Sequence, residues 1–147
     1  PVAVFDASDE RFLPPGDMPA RIDAWCDENG VDAPRTRAEY VRSILESLAA
    51  AYAVAIDRAE KLSGTTIETI HVVGGGSQNE LLCQLTADAA GRVVLAGPVE
   101  ATAIGNVLVQ ARELGYASGS LESMRRLVAS AFPPRGFRPR HHGARPR

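Results

Sequence analysis

The sequence predicts an α/β fold, and three observations support this fold class. Four mostly apolar residues, 70–73, run directly into three consecutive glycines, as a buried strand does when it ends in a tight turn. Ser77 and Glu80 have the S-x-x-E spacing of a capping box, which predicts a helix immediately after the glycines. Helical and strand patterns alternate on both sides of this turn, an order typical of parallel strands in an α/β layer.

Two helical patterns precede the turn. Apolar residues at helical spacing predict a short helix over residues 17–29. Thr36 and Glu39 form a second capping box, and the apolar residues that follow it at steps of three and four predict a long helix over residues 37–63. The strand that leads to the glycines is expected over residues 67–73.

Four further elements and a tail are predicted after the turn. The segments in question are a helix ending near Gly91, a strand over 92–96, a helix over 100–115, a helix over 121–132, and a disordered basic tail over 133–147. Glu100 lies in the first turn of a helix, where an acidic side chain is favourable for reasons of the helix dipole alone. His141 and His142 have no neighbours with metal-ligand spacing, so no site is assigned to them.

Several side chains that could attract a functional interpretation are better explained by packing. Phe12 and Leu13 are expected to anchor the irregular segment before the first helix to the core. His71 lies within the predicted strand, where we expect a packed histidine. Cys26 and Cys83 are isolated in the sequence and are expected to be reduced, partly buried thiols.

Composition and charge exclude several classes of protein. The 147 residues, of which 45% are hydrophobic and 23% charged, suffice for one domain with a core. No apolar run approaches the ~20 residues of a membrane-spanning helix and no signal peptide is recognisable, so we expect a cytoplasmic protein without a membrane partner. All 18 acidic side chains lie within residues 1–132, and this acidic body argues against a nucleic-acid partner.

The glycine turn is the candidate ligand site. Glycine permits φ > 0 and lets a ligand approach the backbone where a Cβ would collide with it. The start of a helix adds N–H groups without partners and a partial positive charge, which favour phosphate oxygens or a nucleotide. The alternative is a glycine-rich connection between strand and helix that binds no ligand.

Two familiar glycine motifs do not match this turn. A phosphate-binding P-loop requires a Gly-Lys pair, and the chain contains none. A dinucleotide-binding fingerprint requires a third glycine where Asn79 stands and an acidic residue at the end of the next strand, which residues 93–96 do not offer.

Two long motifs resemble the C-terminal domain of FGGY-type carbohydrate kinases. The first covers residues 71–88, with the sequence HVVGGGSQNELLCQLTAD, and the second covers residues 97–106, GPVEATAIGN. Within that family, residues 11–18 and the helix through Trp25 and Cys26 resemble the members that phosphorylate L-rhamnulose. The resemblance extends over about residues 6–132, without the arginine-rich segment that follows.

The resemblance implies a ribonuclease-H-like, actin-like ATPase fold, with ATP held between two domains and the sheet incomplete in this chain. Gly75 and Asn79 match the positions that contact ATP in the family, and Gly74, Gly76 and Ser77 match those that shape the turn. The implied chemistry is transfer of the γ-phosphoryl group of ATP to a ketose hydroxyl, with Mg²⁺ neutralising phosphate charge. L-Rhamnulose is the expected sugar.

No catalytic residue and no metal ligand is assigned to this chain. In the family, the general-base aspartate and the D-x-G-T phosphate loop precede the region matched here, and the chain contains no D-x-G-[TS]. The chain is therefore expected to be about the last third of a kinase and to be inactive by itself. Two alternatives stay open: another member of the family, similar to a xylulokinase or fuculokinase, and a non-catalytic, actin-like nucleotide-binding module.

Overall fold

The computed structural model describes residues 2–140, and its elements follow the predicted order. The helices are α1 (Met18–Asn29), α2 (Arg37–Ser63), α3 (Glu80–Ala90), α4 (Ala101–Glu113) and α5 (Leu121–Ala131). The strands are β1 (Thr69–Val72), β2 (Val93–Ala96) and β3 (Arg135–Phe137), and short 3₁₀ turns cover Glu10–Phe12 and Gly75–Gln78. Pro1 and the last part of the predicted tail, residues 141–147 with both of its histidines, lie outside the described residues.

The described strands form one small mixed sheet in the order β1-β2-β3. β1 and β2 are parallel, as predicted, with Val72 opposite Ala96. β3 is antiparallel to β2, with Arg135 opposite Ala96 and Phe137 opposite Val94. The structure therefore departs from the predicted disordered tail at residues 135–137. The side chain of Phe137 is buried in the core, and a three-residue strand with one large apolar residue is too short to give a periodic signal.

α2 has the predicted bounds because both of its ends carry strong local signals. The hydroxyl of Thr36 accepts a hydrogen bond from the Glu39 backbone N–H at 3.2 Å, and the Glu39 carboxylate accepts one from the Thr36 N–H at 3.1 Å. Gly64 ends the helix in the left-handed conformation, with φ of 66°. Although α2 is long, none of the helices in the described part of the chain combines the length and apolarity needed to cross a bilayer.

α3 packs between the sheet and α2. The cluster that joins it to the sheet consists of Cys83, Ala87, Val94, Ala96 and Phe137. The cluster that joins it to α2 consists of Leu45, Ala49 and Leu85. Because α3 directly follows the glycine turn, these two contacts hold the turn in a defined position at the edge of the sheet.

The N-terminal segment lies on α2 and is held there by two buried serines. The backbone N–H of Phe5 donates to the Ser47 hydroxyl at 3.0 Å, and the Ser43 hydroxyl donates to the carbonyl of Ala3. Both serine side chains are thus satisfied in the core, as buried polar groups must be to avoid a desolvation cost. The buried N-terminal cluster consists of Ala3, Phe5, Ile22 and Cys26. Cys26, like Cys83, is a free thiol, as expected.

Two side chains that the sequence predicts to be packed are exposed. Phe12 contacts the N-terminal cluster as expected, but Leu13 is 77% exposed, so it anchors nothing within the described residues. His71 is also exposed, because Ile70 and Val72 take the face of β1 that packs on α3. His71 therefore points to the other face of the sheet, where a groove of about 750 Å³ opens between β1, α4 and α5.

Candidate functional site

The glycine turn lies at the edge of the sheet where both parallel strands end. The backbone N–H of Gly97 donates to the carbonyl of Val72 at 2.8 Å, and that of Gly74 donates to the carbonyl of Pro98 at 3.1 Å. These two bonds tie the turn after β1 to the loop after β2. The carboxyl ends of parallel strands are where α/β sheets bind their ligands, so the turn has the location that a ligand site requires.

The three glycines of the turn differ in their backbone conformation and surroundings. Gly74 has a positive φ of 76°, a conformation that other residues rarely adopt, so glycine is required there. Gly75 and Gly76 have no positive φ. A Cβ added to Gly76 would lie 3.9 Å from Cγ1 of Val72, whereas one added to Gly75 would meet no atom within 4 Å. Gly75 thus presents bare backbone to open space, where a ligand could approach it closely.

Ser77 does not cap α3, and the capping box predicted from Ser77 and Glu80 is wrong. The hydroxyl of Ser77 donates to the Gly74 carbonyl at 2.7 Å, and its backbone N–H donates to the same carbonyl at 3.1 Å. Residues Gly75–Gln78 form a 3₁₀ turn, so the helix begins later, at Glu80. Ser77 is therefore a residue that closes the turn.

Asn79 is the residue that caps α3. Its side-chain Oδ1 accepts a hydrogen bond from the backbone N–H of Leu82 at 3.0 Å. Among the described residues, no hydrogen bond engages the amide nitrogen of Asn79, and the residue is exposed. Asn79 can therefore support the helix with its oxygen and donate to a ligand with its nitrogen.

Cys83 lies beneath the turn as a packing residue. Its Sγ is 3.9 Å from the carbonyl oxygen of Gly76, and its side chain is 1% exposed. Burial raises the pKa of the Cys83 thiol, which keeps it neutral and unreactive near pH 7. The thiol therefore supports the turn from within and offers no nucleophile to a ligand.

A cleft of about 390 Å³ adjoins the turn. Ser77 lines it on one side, and Pro98 and Glu100 line it from the loop after β2. Glu100 precedes α4 without capping it through its side chain, and it is exposed. Arg135, at the start of β3, also lines the cleft, although the sequence assigned the segment after Phe132 to a tail. No sequence signal beyond the single apolar Phe137 in that segment could have indicated this strand.

A family model supplies the decisive comparison. The model described as "FGGY family of carbohydrate kinases, C-terminal domain" matches residues 1–114, more than half of the chain. The chain belongs to the FGGY family of carbohydrate kinases. This result confirms the resemblance read from the two motifs, and it confirms the predicted actin-like α/β fold class with an incomplete sheet.

Similar curated proteins are named as rhamnulokinases. The chain is 42% identical to the rhamnulokinase of Bacteroides thetaiotaomicron over 142 residues, covering 97% of this chain and 29% of that protein. It is 40% identical to that of Bacillus subtilis over 136 residues, 90% of this chain and 27% of that protein. For Klebsiella pneumoniae the identity is 45% over 107 residues, 73% of this chain and 22% of that protein. The chain thus spans less than a third of the length of these relatives.

The comparison also corrects the extent of the similarity. An alignment over 97% of this chain leaves too few residues to exclude the whole segment after Phe132. The similarity therefore continues into that segment, which agrees with the presence of β3 there. The assignment of individual residues to the nucleotide stays a prediction.

Proposed function

We propose that this chain forms the ATP-binding part of a sugar kinase that transfers the γ-phosphoryl group of ATP to a hydroxyl of L-rhamnulose. Membership of the FGGY family supports the reaction class. The rhamnulokinases that align with most of this chain support the choice of sugar. The cytoplasmic location expected from the sequence stays part of this proposal.

Gly74, Gly75, Gly76, Ser77 and Asn79 are the proposed nucleotide-binding residues. The single observation that carries this assignment is the open space in front of Gly75, at the edge of the sheet where both parallel strands end. In this proposal the backbone at Gly75 lies against the adenosine or α-phosphate, and the amide nitrogen of Asn79 donates a hydrogen bond to it. Gly74, Gly76 and Ser77 maintain the shape of the turn.

The described residues fit a nucleotide, but they do not form a site for Mg²⁺. The open space in front of Gly75 and the cleft that Ser77 lines provide room for ATP. Within residues 2–140, no three acidic, histidine or cysteine side chains come together as metal ligands. Mg²⁺ in such kinases neutralises phosphate charge, and we assign no part of its coordination to this chain.

The general base and the phosphate loop are proposed to lie in a part of the kinase outside this chain. None of the aspartates here follows a D-x-G-[TS] pattern, and the chain covers only 29% of the Bacteroides relative. The role of this chain is accordingly to bind and orient ATP. It does not supply the group that accepts the proton of the sugar hydroxyl.

A coupled ADP-release assay of the complete kinase tests the proposal. We expect turnover with L-rhamnulose at a kcat/KM at least about tenfold above that with D-xylulose or L-fuculose, since a sugar-kinase site discriminates through several hydrogen bonds to hydroxyls. A higher kcat/KM with one of the other two ketoses would make that ketose the substrate, and phosphoryl transfer from ATP would remain the proposed reaction. ATP binding without transfer to any ketose would contradict the kinase and favour a non-catalytic module.

A further inference from the structure

The segment after α5 brings a positive charge to the edge of the sheet at which the glycine turn lies. Because β1 and β2 are parallel, their carboxyl ends share this edge. Because β3 is antiparallel to β2, its first residue, Arg135, lies at the same edge, opposite Ala96. Arg140 lies beyond the far end of β3, where it pairs with Asp88 in the last turns of α3. Among the arginines of this segment that the structure describes, strand direction thus places Arg135 beside the site.

Arg135 is held beside the turn by two contacts. Its Nη1 forms an ion pair with the carboxylate of Glu80, the residue that directly follows Asn79. Its guanidinium carbon lies 5.5 Å from the centroid of the Phe137 ring, within the range of a cation–π contact. Glu80 lies in the first turn of α3, and Phe137 is buried in the core.

The guanidinium of Arg135 retains donors for a ligand. Within the described part of the chain, the hydrogen bond to Glu80 engages Nη1, and none engages Nε or Nη2. Arginine carries five N–H donors, so one carboxylate leaves several of them available. Arg135 lines the same cleft as Ser77 and Glu100, and its ion pair with Glu80 places the guanidinium at the start of α3, directly after the turn.

We propose that Arg135 binds a phosphate oxygen of the nucleotide held at the glycine turn. The inference rests on the proposed function, which puts a nucleotide at this edge of the sheet. A guanidinium matches the geometry of phosphate oxygens and keeps its charge at any physiological pH. Arg135 thereby adds a charged contact to a turn whose other proposed contacts are backbone groups and the neutral amide of Asn79.

Calorimetric titration of the complete kinase with ADP and with adenosine tests this contact. Arg135→Ala should raise the Kd for ADP about tenfold, the effect of losing one charge-assisted hydrogen bond. The Kd for adenosine should change by less than about twofold, because adenosine carries no phosphate. Arg135→Lys keeps the charge without the planar fork, so it should recover part of the affinity, to about threefold weaker than wild type.

Arg138→Ala is the matched control, because it removes an arginine of the same segment whose contact with Gln84 is made by the backbone carbonyl. This variant should bind ADP as the wild type does, and equal weakening in both variants would overturn the proposal. An Arg135→Ala kinase with unaltered ADP affinity would overturn it as well. If Arg135→Ala weakens the binding of ADP and adenosine equally, Arg135 only holds β3 in place, and the phosphate contact is refuted.

Gly75→Val separates failure of this inference from failure of the proposed function. If Gly75→Val leaves ADP affinity unchanged, the nucleotide does not lie at the turn and the proposed site itself fails. If Gly75→Val weakens ADP binding and Arg135→Ala does not, the nucleotide lies at the turn, and only the proposed contact between Arg135 and phosphate is refuted.

Discussion

At the scale of single residues, Gly74 and Gly75 differ in what a side chain would disturb. Any side chain at Gly74 would strain the backbone, because its φ is 76°. A side chain at Gly75 would neither strain the backbone nor collide with a neighbour. A substitution at Gly75 therefore tests the ligand, whereas one at Gly74 tests only whether the turn can form.

We expect Gly75→Val in the complete kinase to raise the KM for ATP at least about tenfold, a cost of about 1.4 kcal/mol in binding. The KM for the sugar should stay within about twofold, because the branched side chain occupies only the space proposed for the nucleotide. Gly105→Val is the control, since an added Cβ there also meets no atom within 4 Å. Steady-state kinetics with circular dichroism to confirm folding make the measurement. A folded Gly75→Val enzyme with a normal KM for ATP would mean that the glycines of the turn do not contact the nucleotide.

Asn79 combines two roles that different substitutions separate. Asn79→Ala removes the cap of α3 and should cost about 1 kcal/mol of stability as well as ATP affinity. Asn79→Asp keeps an oxygen for the Leu82 N–H but has no side-chain N–H donor, so the ATP KM should rise by roughly fivefold with little change in Tm. Thermal melting of both variants measures the capping role, and their KM for ATP measures the contact with the nucleotide. A normal ATP KM in Asn79→Asp would limit Asn79 to capping.

At the scale of elements, one side of α3 holds the segment that contains β3. Glu80, Gln84 and Asp88 follow one another at four-residue intervals, so they line one side of the helix. Gln84 donates to the carbonyl of Arg138 at 2.9 Å, and Asp88 accepts from Arg140 at 2.7 Å. Burial raises the pKa of Asp88, but the hydrogen bonds from Arg140 outweigh it and leave that pKa below its ordinary value. The segment is thus attached to α3 along its length.

Phe137→Ala should destabilise the domain by about 3 kcal/mol, the usual cost of a cavity left by a buried aromatic ring. Phe137 is 8% exposed and packs against Val94 in the cluster between the sheet and α3. Leu13→Ala is the control, because Leu13 is 77% exposed and its loss should change stability by less than about 0.5 kcal/mol. Denaturant unfolding of the complete kinase measures both. Equal effects of the two substitutions would mean that β3 contributes nothing to the fold.

A second connection between elements joins the end of α2 to the starts of β1 and β2. The carboxylate of Glu60 accepts a hydrogen bond from the Ile67 backbone N–H at 2.6 Å and one from Arg92 Nη2 at 3.1 Å. Arg92 Nε in turn donates to the Ile67 carbonyl at 2.7 Å. The hydrogen bond from Ile67, followed by that from Arg92, lowers the pKa of Glu60 below its ordinary value.

Glu60→Gln should lower the Tm at pH 7, and the difference from wild type should shrink at acidic pH. Because the folded-state pKa lies below the unfolded value of about 4.3, the ionised carboxylate stabilises the fold above that pH. This stabilisation is lost as the pH falls through the folded-state pKa. Melting curves of the complete kinase between pH 7 and 3 test this, with Glu113→Gln, whose side chain is 73% exposed, as a control of unaltered Tm. A difference that is independent of pH would exclude the charge of Glu60 as its cause.

At the scale of the whole molecule, two surfaces have no partner within the described residues. β1 is an edge strand of the sheet, and the side away from β2 is unpaired in this part of the chain. α2 also exposes large apolar side chains, namely Val41, Tyr52, Val54 and Leu62. Unpaired strand edges and apolar patches both favour association with other chains.

We expect the isolated chain to self-associate and to transfer no phosphoryl group to L-rhamnulose. Association follows from the two unpartnered surfaces, and inactivity follows from the absence of a D-x-G-[TS] loop in its sequence. Sedimentation velocity, calorimetry and a coupled ADP-release assay measure these properties, with the complete kinase as the positive control for activity. A monodisperse monomer with a cooperative melting transition, or measurable turnover, would contradict the corresponding half of the prediction.

The sequence by itself determined the features that depend on neighbouring residues. The box formed by Thr36 and Glu39 and the glycine at position 64 set the ends of α2, because each acts within one helical turn. The glycine turn and the two parallel strands around it were also predictable, since glycine and a short apolar run are local signals. The family was predictable because two motifs in a fixed order carry it.

Only the structure decided between competing local signals, and only the tertiary structure decided the features that depend on residues far apart in the chain. Ser77 and Asn79 are both good caps, and the hydrogen bond from Ser77 to the Gly74 carbonyl, which closes a 3₁₀ turn, leaves the cap of α3 to Asn79. β3 forms because Phe137 fills a space between β2 and α3, a contact that no local pattern encodes. The same long-range pairing brings Arg135 to the glycine turn, since the direction of a strand is set by its partner and not by its own three residues.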